Sequence, residues 1–147
     1  MKVEEIMVKN VVTIDGERDA VEAAKLMGER NVGCLLVEEE GKVKGIITER
    51  DIVRRIVALA IDPTKVKVKD IMSTPLIVVE PKTTVEEAAK AMVIYRIRRL
   101  PVVQQGRLVG LVSASDLVKY LTKLGISGPV VDALLRRRKP PEGGPYA

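Results

Sequence analysis

The chain has 147 residues, of which 46% are hydrophobic and 31% charged, and a formal net charge of +5. That balance fits one folded domain, or two small units packed as one, and excludes wholesale disorder. With no His and a single Cys, Cys34, it also excludes an imidazole general base, a Cys-rich zinc site and an intramolecular disulfide.

No apolar run approaches the roughly 18 residues that span a bilayer. The opening MKVEEIMVKN carries two Glu and lacks the apolar core of a signal peptide, so the expected compartment is cytoplasmic. There is no Trp or Phe and there are three Tyr, which leaves Val, Ile, Leu, Ala and Met to build the core. An aromatic stacking platform for single-stranded nucleic acid is not available in any number. The richness in Glu, Lys and Arg fits a thermophilic source.

In chain order, the first predicted strand is Val11–Ile14. A helix follows, with Asp19 and Glu22 spaced as a capping box and Ala20, Ala23, Ala24 and Met27 at helical spacing. Cys34–Glu38 and Val43–Ile47 read as a hairpin around Gly41. A second helix is predicted over Glu49–Ala60, and Asp62-Pro63 ends it. The series then recurs as strand Leu76–Val79, a helix opened by Thr84 and Glu87, strands Leu100–Gln104 and Leu108–Val112 around Gly106, and helix Ala114–Leu124. A break at residues 125–129 leads to a short helix over Val130–Arg138, with Ser127 or Gly128 near its start, and a basic tail.

This recurrence is an internal repeat. Val3–Ile56 aligns with Val68–Leu121 at a constant offset of 65 without a gap, with 14 identities in 54 positions. They include Ile6/Ile71, Met7/Met72, the run Glu22–Lys25 over Glu87–Lys90, Gly45/Gly110 and Asp51/Asp116. The expected organisation is repeat one over residues 1–61, a linker over 62–67, repeat two over 68–124 and a basic, partly disordered extension over 125–147. The fold class is α/β (α+β), two β-α-β-β-α repeats packed as a pseudo-two-fold pair.

Each repeat carries one segment suited to binding chemistry: Gly45-Ile46-Ile47-Thr48-Glu49-Arg50-Asp51 and Gly110-Leu111-Val112-Ser113-Ala114-Ser115-Asp116. A hydroxyl residue three before an Asp is a helix-capping pattern. The same geometry serves a ligand: a helix N-terminus offers amides to a phosphate, Thr48 or Ser113 could join them, and Asp51 or Asp116 could accept both hydroxyls of a ribose. Gly45 and Gly110 mark close approach by a ligand or by another backbone.

With Val-x-x-Ile-Met, Glu-Ala-Ala-Lys-x-Met, Arg99-Leu100-Pro101-Val102-Val103 and the Gly-h-h-Thr/Ser-x-x-Asp segment (h, hydrophobic) duplicated in this order, the chain resembles a tandem pair of cystathionine-β-synthase (CBS) domains, a Bateman module. The resemblance covers about residues 1–124. It implies a regulatory binder of AMP, ADP, ATP or S-adenosylmethionine in the cleft between repeats, often as a homodimer, with no obligatory cofactor and no catalysis. It implies a ribose role for Asp51 and Asp116 and a phosphate or hydroxyl role for Thr48, Ser113, Arg98 and Arg99. It also implies a backbone frame for the base at Thr13, Ile14, Val78 and Val79. Arg50, Arg54 and Lys119 are candidates to flank a phosphate, ahead of Arg55.

The repeats differ in charge. Residues 3–56 hold 9 basic and 12 acidic residues, residues 68–121 hold 8 and 5, so the two sites are expected to be unequal. Repeat one has Gly33 and Cys34 where repeat two has Arg98 and Arg99. Cys34 reads as a small core hydrophobe, with an intermolecular disulfide across a dimer as the alternative. The signal would pass to an effector protein whose identity the sequence does not reveal. The alternative function is a nucleic-acid-associated module using the Arg136–Lys139 cluster. No metal site and no membrane partner are expected.

Overall fold

Two-residue turns fix the register of both predicted hairpins. At each tip both residues have positive φ, Glu40 (53°) with Gly41 (76°) and Gln105 (50°) with Gly106 (77°). This is the turn whose twist matches that of the flanking strands. A computed structural model describes residues 1–136 and resolves them into two folded units, residues 11–76 and residues 1–10 with 77–136. The repeat's period and the folded units therefore cut the chain at different places. The expected disorder of the extension and residues 137–139 of the basic cluster lie outside the described residues.

In the continuous unit, β1 (Thr13–Asp15) pairs in parallel with β2 (Cys34–Glu39), and β2 pairs antiparallel with β3 (Lys42–Thr48). Helix α1 (Ala20–Arg30) makes the parallel crossover. Its Asp19 cap accepts the Glu22 amide at 2.9 Å, but the reciprocal bond of a capping box does not form. Helix α2 (Glu49–Ile52) runs into a wider turn over Val53–Val57, where the Ala58 amide reaches back five residues to the Val53 carbonyl at 2.8 Å. The expected helix over Glu49–Ala60 is thus interrupted rather than regular. A short helix, α3 (Val68–Ile71), closes the unit. The core is the apolar face of α1 with Leu35, Val37, Ile47, Ile56, Val68 and Ile71, most of them fully buried.

The discontinuous unit repeats this plan with α4 (Val85–Tyr95), β4 (Arg99–Gln104), β5 (Arg107–Ser113) and α5 (Ala114–Lys123). Here the capping box opening α4 is complete: Thr84 Oγ1 accepts the Glu87 amide at 3.1 Å and Glu87 Oε2 accepts the Thr84 amide at 3.2 Å. The predicted strand Leu76–Val79 is instead a single parallel bridge, Val79 to Val102. At this bridge the Val79 amide and carbonyl bond β4, 3.0 Å from Pro101 O and 2.9 Å from Val103 N. Pro101 has no amide to extend the ladder, and Pro81 lies two residues after the bridge. A last helix, α6 (Pro129–Leu135), starts where expected, after Gly128, and buries Val131 and Leu134.

Gly45 and Gly110 face backbone. In the continuous unit, Ser73 bridges Ile46 beside β3, with bonds of 2.8 and 3.2 Å. In the other, Val8 bridges Leu111 beside β5, with bonds of 2.8 and 2.9 Å. A Cβ on Gly45 would stand 2.8 Å from Ser73 O, and one on Gly110 would stand 3.0 Å from Val8 O. Of the two readings of these glycines, the second holds in both units: a neighbouring chain segment covers the strand edge.

Candidate functional site

Both hydroxyl-x-x-Asp segments cap helices. Thr48 N donates to Asp51 Oδ2 at 2.8 Å, and the Asp51 amide donates to Thr48 Oγ1 at 3.2 Å. Ser113 N donates to Asp116 Oδ2 at 2.9 Å, and the Asp116 amide donates to Ser113 Oγ at 3.1 Å. One carboxylate oxygen of each Asp is thereby committed to its own helix. A diol would have to be held mainly by Oδ1.

The two carboxylates sit in different surroundings. Asp51 is 3% exposed, and Arg55, one turn on, places its Nε 3.8 Å from Oδ1. The Arg55 guanidinium also donates to the Ile71 carbonyl at 2.9 Å, tying the wider turn after α2 to the end of α3. Burial pushes the Asp51 carboxyl above its ordinary value; the Thr48 amide, Arg55, the Thr48 hydroxyl and Arg54 oppose this and do not cancel it. Asp116 is half-buried, and the position matching Arg55 is Tyr120. The sequence signal for this pair is the i,i+4 spacing of Arg55 from Asp51, which the reading of Arg55 as a phosphate-flanking residue passes over.

A stability prediction follows with a definite sign. An acid whose folded value is raised binds more protons folded than unfolded, so its contribution falls as pH rises from 3.8 through the raised value. Asp51→Asn keeps an acceptor for the Thr48 amide and removes the titration. In urea unfolding at a series of pH values, wild-type stability minus variant stability should decline from about pH 4 toward neutrality. A difference that rises with pH would show that Asp51 is stabilised as the anion.

The hairpin register decides where a phosphate would find a cation. Arg99 stands directly opposite Ser113 across β4 and β5, so both side chains leave the same face of the sheet. The Ala114 amide donates to Arg98 O at 2.8 Å, which places both arginines beside the start of α5. The half-buried Arg99 guanidinium is engaged by no other side chain among the described residues. Arg98 is exposed and turned elsewhere: its Nη1 donates to the carbonyls of Leu134, at 2.8 Å, and Arg136, at 3.5 Å. In the continuous unit the position opposite Thr48 is Cys34, 9% exposed. A buried thiol there replaces the guanidinium.

Thr13 and Ile14 lie in β1 against Leu36 and Val37 of β2; Val78 is exposed and Val79 forms the bridge to Val102. The structure brings Arg99, Ser113 and Asp116 together in one unit, and Thr48 and Asp51 in the other. Arg50, Arg54 and Lys119 are exposed on their helices. Among the described residues no group of three acidic, Cys or His side chains could hold a metal ion, and no helix is long and apolar enough to cross a membrane.

A family model for the CBS domain matches residues 3–58 and again 68–123. The CBS domain-containing protein YhcV of Bacillus subtilis is 40% identical over 115 residues, covering 78% of this chain and 81% of its own length. Among solved structures, the hexameric CBS-CP12 protein from bloom-forming cyanobacteria is 37% identical with a TM-score of 0.78, covering 88% of this chain and 77% of that one. The CBS domain protein TA0289 of Thermoplasma acidophilum is 28% identical with a TM-score of 0.80, covering 92% of this chain and 74% of that one.

Proposed function

Since the chain belongs to the CBS-domain family and carries two such domains in tandem, we propose that it is a non-catalytic regulatory protein that binds an adenosine nucleotide. AMP is the leading ligand, with ADP, ATP and S-adenosylmethionine as alternatives. The carrying observation is the register that sets Arg99 opposite Ser113, next to Asp116. Asp116 Oδ1 receives a ribose hydroxyl, and Ser113 and the first amides of α5 face the phosphate. Arg99 supplies a charge-assisted bond of the kind guanidinium makes with phosphate. Thr48 and Asp51 form a second, weaker site, since Cys34 brings no charge and the buried Asp51 is already paired with Arg55.

Such a module works by passing its liganded state to an effector protein, and that requires the ligand to bind two states of the module unequally. A homodimer belongs to the same reading. Val53, Val57 and Leu59 follow α2 with 57%, 67% and 63% of their surfaces exposed, an apolar cluster suited to a protein contact.

Calorimetric titration of the full chain with AMP, ADP, ATP and S-adenosylmethionine tests the proposal. Saturable binding is expected, tightest for AMP. A folded protein that binds none of the four would reduce both hydroxyl-x-x-Asp segments to helix caps.

A further inference from the structure

Within the discontinuous unit, Arg98, one of the two arginines expected at the phosphate, is held by the chain's own last described helix. Arg98 Nη1 donates to Leu134 O at 2.8 Å and to Arg136 O at 3.5 Å, at the C-terminal end of α6. Carbonyls left open at a helix C-terminus carry partial negative charge and attract a cation. Arg98, Ala114 and Leu134 line a small, partly open cavity beside α6.

Helix α6 is short and packs against α4 and α5. Of its seven residues, Val131 and Leu134 are buried, while Val130 and Leu135 are 45% and 59% exposed. It follows Gly125 and Gly128, both at positive φ (71° and 127°), where glycine turns without strain. A phosphate oxygen is a stronger partner for guanidinium than a carbonyl.

We infer that α6 is an intramolecular latch: its terminal carbonyls occupy Arg98 when no nucleotide is bound, and a nucleotide phosphate takes Arg98 and releases the helix. The inference rests on the nucleotide reading above and adds a moving part to it. Nucleotide occupancy and α6 docking become mutually opposed, as two ligands competing for one group must.

Hydrogen exchange on the wild-type full chain reads the latch without a variant. Saturating AMP should speed exchange in residues 129–135, whereas unchanged or slowed exchange would overturn the latch. Leu134→Asp, in the full chain, should eject α6 and tighten AMP binding by about tenfold, equal to about 1.4 kcal/mol. Adenosine, which has no phosphate, should bind both forms equally, and adding Arg98→Ala should cancel the gain. An equal gain for adenosine and AMP would mean that α6 only covers the site and that Arg98 is no switch. Failure of wild type and variant alike to bind AMP would bring down the nucleotide reading itself, while AMP binding of equal strength in both would remove the latch alone.

Discussion

Arg99→Ala should weaken AMP binding by roughly 10- to 150-fold, the loss of about 1.5–3 kcal/mol that a hydrogen bond to a charged group contributes. Arg99 lies opposite Ser113, and its guanidinium is not spoken for among the described side chains, whereas Arg98 must first leave Leu134. Arg99→Lys should recover part of the affinity, because an ammonium keeps the charge but not the fork that grips two phosphate oxygens. Adenosine should bind wild type and variant alike. If Arg99→Ala leaves AMP affinity unchanged, the phosphate lies elsewhere and the register argument fails. Titration calorimetry on the three proteins separates these results. Asp116→Ala is a less selective probe, since that carboxylate also holds the Ser113 amide.

Gly110→Ala should cost about 1–3 kcal/mol, the usual penalty for an added methyl group that finds no space. For a chain of this size that is a fall in Tm of several degrees, at about 2–4 °C per kcal/mol. The new Cβ would meet Met7 Sδ at 2.5 Å and Val8 O at 3.0 Å. The Met side chain can swing aside, but the carbonyl accepts the Leu111 amide at 2.9 Å and cannot retreat without breaking that bond. Gly45→Ala should behave alike, with Met72 Sδ at 2.7 Å and Ser73 O at 2.8 Å. Met7→Ala should relieve part of the Gly110→Ala penalty and none of the Gly45→Ala penalty. Thermal unfolding of the single and double variants measures this, and a Gly110→Ala protein as stable as wild type would refute the close-approach account.

The parts legible in the sequence were those governed by neighbours in sequence. Glycines at the hairpin tips, hydroxyl caps three residues before an acid, and apolar spacing on α1 and α4 are local constraints, and the duplication repeats each of them. The CBS resemblance draws on some of the same residues, the helix caps and the first helix of each repeat. What escaped depends on contacts distant along the chain. Whether Gly45 met a ligand or a backbone was open until Ser73 was placed beside it. Ile77, Val78 and Val79 are β-branched and favour a strand, but the fold forms an isolated bridge there, Val79 to Val102. Cys34 opposite Thr48 could have been counted from the two-residue turn, but each hairpin carries a bulge, between Val37 and Glu38 and between Val102 and Val103, that shifts the count by one. Nothing local to Arg98 foretold that residues 36 and 38 positions later would accept its hydrogen bonds.

The placement of residues 1–10 with residues 77–136 also dictates an order of assembly. The first unit to have all its parts is the one spanning 11–76, which can close while the rest of the chain is still being synthesised. The other must keep its opening strip waiting: Val3 bonds Thr83, and Val8 bonds Leu111, more than a hundred residues later. Loops of that length close slowly although the added entropy grows only with the logarithm of their length. A nascent chain on the ribosome therefore exposes the strip Val3–Val8 at least until Leu111 has been synthesised, and the edge of β5 stays uncovered until that strip returns.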